Sequence, residues 1–379
     1  MSSVIDSLFS KSAIDKVQQL EECKKCRILN AFWPYMRLSQ KTFNEEDYAG
    51  FFRYIGRTLQ GLHQHEGNFA AQSFDSLFGI IQTLRDNPSL TRTEMVCEVK
   101  KSYLNTPDTA IYRSIQLAIQ LWLCLNVHSY STAIGALNPR TSRAKWNPDE
   151  RLDQMIAAQF PGDSRRTNIV AKYQIDDSFT LANLKKICRL NIRWTNNLKD
   201  HLRLEGRKGR RVLSVYQQRV VLVNHYNDPR SIIPNTILME AIRTLDLLLP
   251  FSDPGTENLL EKSDMTTCTP LEGRHAYDLE DFTYWKSNLI QLLDLLNGPP
   301  ESLLQALRDT RNLSQWATMW IAVFGIFVLT LVFGIMATVY SIRQYRVAVD
   351  SYEVSIKSYE LARAVACQQR TGPLPEFCD

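Results

Sequence analysis

Cys23-Lys24-Lys25-Cys26 is the one Cys-x-x-Cys in the chain, the spacing by which paired thiolates hold zinc or exchange electrons. Its nearest histidines, His63 and His65, follow 37 residues later, and zinc modules use tighter and more regular spacing. A redox pair of the thioredoxin type needs a preceding strand in a βαβ context, which this stretch lacks. On a helix the two cysteines would share one face. The six histidines (His63, His65, His128, His201, His225, His275) show neither triad nor metal spacing. His201 reads as a residue at the base of a hairpin rather than a catalyst. Glu45-Glu46 and Glu280-Asp281 read as solvated helix ends, although sequence leaves open a spatial dyad of carboxylates. None of the phosphate-loop, dinucleotide, nucleophile-elbow or zinc-protease motifs occurs. The chain is therefore expected to have no catalytic, cofactor-binding or metal residues and not to be an enzyme.

The second concentration of chemistry is cationic. Lys185, Lys186, Arg189, Arg193, Lys199, Arg203, Arg207, Lys208, Arg210 and Arg211 face only Asp200 and Glu205 in the same stretch, a net of +8 in a chain whose total is +4. Such a cluster can bind nucleic-acid phosphates. It can lie on an anionic leaflet, where each cation contributes about 1 kcal/mol. It can also be the solvated face of a domain acidic elsewhere. Lys185, Lys186, Arg189, Arg193, Arg203, Arg207, Lys208, Arg210 and Arg211 form the candidate docking surface. Its expected partner is an anionic membrane surface or a protein; nucleic acid is not expected.

The elements that must position these residues are mostly helical. Apolar residues recur at helical spacing over 41–62 and 74–85, the latter stopped by Asn87-Pro88. Thr91 followed by Glu94 is a capping box, and a further helix is expected over Ile111–Val127. Thr180–Leu190 reads as a helix and Ile192–Leu202 as a second. A Gly-containing turn over Glu205–Arg211 and a strand over Val212–Tyr216 follow. Helix, turn, helix and β-hairpin is a winged-helix-like order. Leu279–Leu296 reads as one amphipathic helix ended by Asn297-Gly298-Pro299-Pro300, with another starting near Glu301. The expected fold is mostly α: a helical domain (1–160), a basic winged-helix-like α+β module (161–230), a helical segment packing on the first domain (231–300), a juxtamembrane and transmembrane helix (301–342), and a helical tail with irregular last residues (343–379).

The span itself lies in 31 residues between Arg311 and Arg343 that contain no Asp, Glu, Lys or Arg. Trp316–Ile342 is apolar over 27 residues, about 40 Å as a helix against the ~30 Å hydrocarbon core. Trp316, Trp320, Tyr340 and Tyr345 stand where interfacial aromatics belong. The first residues carry Asp6, Lys11, Asp15 and Lys16 and no uninterrupted apolar core, so no signal peptide is expected. The front domain is then expected in the cytosol, and the protein in an endomembrane, the endoplasmic reticulum or later, with a single pass. Cys367 and Cys378, in the tail, could close a disulfide if the tail is lumenal. Ile335, Ile342, Val349 and Ile356 recur every seven residues, as do Thr338, Tyr345, Tyr352 and Tyr359. This seam suits a parallel homodimer, or a lone helix with its tyrosines among headgroups.

Arg85-Asp86-Asn87-Pro88, the run Leu181–Leu204, Leu247–Pro250, the residues around Phe282 and Trp285, and Trp316 with Trp320 together resemble an uncharacterised family of C-terminally membrane-anchored proteins of filamentous fungi. The resemblance covers nearly the whole chain. It implies a mostly helical cytosolic part and a C-terminal anchor, and brings no activity, cofactor or catalytic residue. The functional expectation is a single-pass docking or scaffold protein. The alternatives are a membrane-tethered nucleic-acid-binding regulator or an accessory membrane protein of a fungal biosynthetic pathway.

Overall fold

The computed structural model describes residues 8–9, 17, 20–127, 141–162, 175–251, 253–261, 265, 278–298 and 313–368. The expected hinge at Pro299-Pro300, the helix start near Glu301 and Cys378 lie outside them. The chain divides into two compact units, Met1–Gln305 and Ala306–Asp379.

In the first unit α1 (Glu22–Phe32), α2 (Glu45–Leu62), α3 (Phe74–Asp86), α4 (Arg92–Lys100) and α5 (Asp108–Leu123) build a helical layer. Local sequence sets their starts. Ser73 and Ser76 close a reciprocal cap on α3, and Thr91 and Glu94 do the same on α4, each satisfying two otherwise orphaned N–H groups. Cys124 ends α5 in the left-handed conformation, φ +51°, three residues before the expected end at Val127. Trp33, Phe32, Phe51 and Trp122 are fully buried and tie α1, α2 and α5 to one core. The short α6 (Leu152–Ala157) follows an extended segment that pairs with the start of α4, Leu152 N–H donating to Leu90 O at 3.1 Å.

The basic stretch opens with α7 (Leu181–Ile187), capped by Thr180. The expected second helix over Ile192–Leu202 is corrected: strand β1 (Asn191–Thr195) and a 3-10 turn at Leu198–Asp200 occupy it. The physical reason is the alternation of Ile192 and Trp194 with polar residues, favourable to a pleated, half-buried strand once a partner exists. Strands β2 (Leu204–Arg207) and β3 (Arg210–Tyr216) form the hairpin. The sheet order is β1-β3-β2, with β1 parallel and β2 antiparallel to β3. One helix, not two, precedes the hairpin, and a parallel strand takes the place of the second. Gly209 turns the hairpin at φ +78°. Gly206 sits at φ +98°, where a Cβ would lie 2.4 Å from Arg210 O, so no other residue fits that position unstrained.

Helices α8 (Arg219–Asn227), α9 (Asn235–Leu248), α10 (Pro254–Leu260) and α11 (Lys286–Asn297) complete the described part of this unit. α9 packs on α8, and α10 and α11 pack on α7. The helix expected over Leu279–Leu296 is also corrected. A 3-10 turn covers Leu279–Asp281, Phe282 is extended, and the helix begins only at Lys286. The N–H groups of Thr283, Tyr284 and Trp285 instead donate to the Glu240 carboxylate at 2.8, 2.7 and 2.7 Å.

The second unit is dominated by α12 (Leu313–Gln368), 56 residues without interruption. At 1.5 Å per residue it is about 84 Å long.

Candidate docking surface and membrane helix

Strand register decides where the cations of the basic stretch stand. Arg207 is the direct partner of Arg210, Glu205 of Val212, and Arg193 of Ser214. Paired residues point to the same face, so Arg193, Glu205, Arg207 and Arg210 share one side of the sheet. The other side carries Leu213 and Val215, both fully buried in the core. On the polar face Arg193 donates to Glu205 Oε2 at 2.9 Å and to Ser214 Oγ at 2.6 Å. Arg203 meets Glu205 Oε1 at 2.7 Å and donates to Asp200 Oδ1 at 3.1 Å. These two guanidinium groups are therefore neutralised within the fold. Lys199 is drawn inward too, donating to Gln159 Oε1 at 2.7 Å and Arg143 O at 3.1 Å, and burial pushes its pKa down. Arg211 is half-buried. Lys185 and Lys186 end α7, Arg189 follows it at φ +53°, and Arg207, Lys208 and Arg210 form the hairpin tip. These six are exposed.

The sheet is held by buried polar groups that the hydrophobic pattern does not reveal. His201 is 1% exposed. Tyr216 N–H donates to its Nδ1 at 3.2 Å, so Nε2 carries the proton and donates to Thr244 Oγ1 at 2.8 Å, and Thr244 passes the chain on to Ala241 O at 2.7 Å. Burial lowers the His201 pKa to about 3. Its backbone carbonyl accepts Trp285 Nε1–H at 3.1 Å. Leu202 adopts φ +57°, a strained value for a branched side chain. It is fixed there by its N–H to Ser214 O and by Asn288 Nδ2, which donates to its carbonyl. Asp200, 2% exposed, accepts from the Ser142 N–H at 3.0 Å and from Asn197 Nδ2 at 2.8 Å. His201, Leu202 and Asp200 thus tie the turn between β1 and β2 to Thr244, Trp285, Asn288 and Ser142 of the surrounding unit.

The groups that opened the sequence reading lie elsewhere. Cys23 is exposed and Cys26 buried on α1; burial, then Glu22 and Cys23, raise the Cys26 pKa, which opposes thiolate formation. Lys25, between them, is buried and pairs with Glu45. His63 Nδ1 meets the carbonyl of Phe9. Asp281 closes a reciprocal cap with Asp278, and Glu280 is exposed. Among the described residues no three His, Cys, Asp or Glu side chains are grouped as metal ligands. His225 is fully buried between Trp33 and Trp122, with ring centroids 5.5 and 5.6 Å away, and donates through Nε2 to Trp122 O at 2.9 Å.

α12 contains the one helix among the described residues that is long and apolar enough to cross a membrane; none of its apolar window is buried. A core helix of a soluble protein is mostly buried, and this one is not. Within the span Thr330 and Thr338 donate their hydroxyls to Ile326 O and Gly334 O, both at 2.8 Å, which removes free donors from the apolar surface. Ile335, Ile342, Val349, Ile356, Tyr345, Tyr352 and Tyr359 are all exposed on this single helix. Beyond Ile342 it continues for about 39 Å to Gln368. Cys367, in its last turn, is disulfide-bonded. No family model, no curated protein and no solved structure matches the chain.

Sequence reasoning placed His201 at the hairpin base, where Tyr216 N–H meets it, but missed Asp200, which holds the turn after β1 to Ser142, and Glu240, which takes the three N–H groups ahead of α11. Glu240 carried one usable signal: it is a lone acid on the apolar face of α9, beside Ile237, Ala241 and Thr244.

Proposed function

We propose that the chain is a single-pass membrane protein whose front unit serves in the cytosol as a docking or scaffold domain without catalysis. The observation that carries this reading is α12, an uninterrupted helix whose apolar stretch is long enough for a bilayer and has none of its apolar window buried. Leaving that surface in water would forgo about 25 cal/mol for each Å² of apolar area. What supports the cytosolic side is the pair of exposed free thiols at Cys23 and Cys97, the usage of a reducing compartment. The endomembrane system is the proposed location. The heptad seam of α12 is proposed to pair two copies in parallel, since insertion gives both copies one orientation. The nucleic-acid alternative rests on the same cations meeting phosphates; a five-residue strand at Asn191–Thr195 stands where a winged-helix order would put its second helix.

The test is deletion of Trp316–Ile342 from the full chain, followed by alkaline carbonate extraction of membranes. The full chain should stay in the pellet and the deleted chain should be released. A deleted chain that stays in the pellet would contradict a single anchoring span.

A further inference from the structure

The exposed cations include a short arginine row: Arg207 and Arg210 are direct partners at the end of the β2–β3 ladder, about 4.8 Å apart across the strands, and Arg189 stands two residues before β1 at φ +53°. Lys208 stands at the hairpin tip, and Lys185 and Lys186 end the helix that leads into the row. Among the described strand residues the one acid on this face, Glu205, is already bound by Arg193 and Arg203. Like charges directly opposite each other destabilise a β-ladder, and Arg207 faces Arg210 with no acid between them. An anion placed between such guanidiniums removes that repulsion and accepts their forked N–H donors.

We infer that this arginine row binds the phosphate headgroups of anionic phospholipids in the same bilayer that holds α12. The inference rests on the membrane-anchor reading above. Charge complementarity selects an anionic surface, and the chain supplies the proximity: fifteen residues separate Asn297 from Leu313, a tether that reaches at most about 50 Å even fully extended. Tethering at that length turns lipid binding into an intramolecular event at millimolar effective concentration. Headgroup contact needs no folding change, because the Gly206 and Gly209 hairpin and its buried supports are formed already.

The test uses the full chain reconstituted in nanodiscs of phosphatidylcholine, with or without phosphatidylserine. Hydrogen exchange is followed at the amides of Gly206–Arg211. Exchange of these amides should slow about tenfold when phosphatidylserine is present at about 0.1 M salt, and the difference should vanish near 1 M. The triple variant Arg207→Ser, Lys208→Ser, Arg210→Ser should lose membrane protection elsewhere in the module, read at Leu190–Arg193, while Lys100→Ser with Lys101→Ser should keep it. A chain that fails to enter the discs would refute the anchor. A chain that inserts but shows equal exchange in both lipids would refute this inference alone. Protection by duplex DNA with none from phosphatidylserine would overturn it in favour of nucleic acid.

Discussion

Lowering the pH should unfold the front unit through two histidines. His201 and His225 are fully buried and neutral, and burial is the main cause of pKa values near 3 and 4. Around His225, Asp228 acts upward and Arg85 downward. In the unfolded chain each would titrate near 6.5. The folded pKa is the lower one, so the unfolded state binds more protons as pH falls. The stabilisation is complete above about 6.5 and is lost on descending towards 4 and 3. Each pKa unit is worth about 1.4 kcal/mol, so at pH 5 each histidine forfeits about 2 kcal/mol and the pair about 4 kcal/mol relative to pH 8. Glu240 acts in the opposite sense, because burial raises its pKa against the pull of its three N–H donors; its contribution is present at low pH and lost as pH rises. Urea titration of the full chain in micelles, followed by tryptophan fluorescence, reads the effect directly, since Trp33, Trp122 and Trp285 ring the two histidines. With a slope of about 3 kcal/mol per molar urea, the midpoint should fall by about 1 M between pH 8 and 5. His225→Gln should halve the pH dependence whatever it does to absolute stability. A midpoint unchanged between pH 8 and 5, or a His201 or His225 resonance titrating near 6.5 in the folded chain, would refute the assignment.

Two further outcomes follow from the backbone and from α12. Gly206→Ala should destabilise the hairpin by more than about 2 kcal/mol, because it adds a left-handed penalty to a clash with a backbone oxygen. Rapid exchange of the β2 and β3 amides, with the α1–α5 core still protected, would show it, and unchanged hairpin exchange would contradict the close approach at Arg210 O. Val349→Cys and Ile356→Cys should form intermolecular disulfides in native membranes while Asp350→Cys, off the seam, should not. Equal cross-linking at all three positions would rule out a specific parallel pair.

How far the sequence speaks depends on whether a feature is local. Thr91 with Glu94 and Asn87-Pro88 act within a few residues, and the helices they bound are found where expected. The charge-free run is equally self-contained. β1 is different. Its five residues, Asn191–Thr195, sit in a basic stretch whose spacing imitates a helix, and their partner β3 begins fifteen residues beyond Thr195, so a long-range pairing overrides local propensity. Phe282–Trp285 likewise satisfies a helical pattern, yet a carboxylate on α9 takes its N–H groups. Backbone donors have no residue type, and no pattern in the side chains announces them. The candidate site shows the same division. Ten cations were countable, but which of them Glu205 neutralises depended on register, and one acid holding Arg193 and Arg203 is a geometric fact.

The most direct measurement of the central claim is sidedness. Sealed microsomes carrying the full chain with Lys357→Cys are treated with a membrane-impermeant maleimide before and after detergent. Cys23 and Cys97, exposed on the front unit, should label in intact vesicles, and the cysteine at 357, on the part of α12 beyond the apolar stretch, should label only once detergent opens them. Labelling of both ends in sealed vesicles would show that α12 does not cross the bilayer, and the reverse pattern would place the front unit in the lumen.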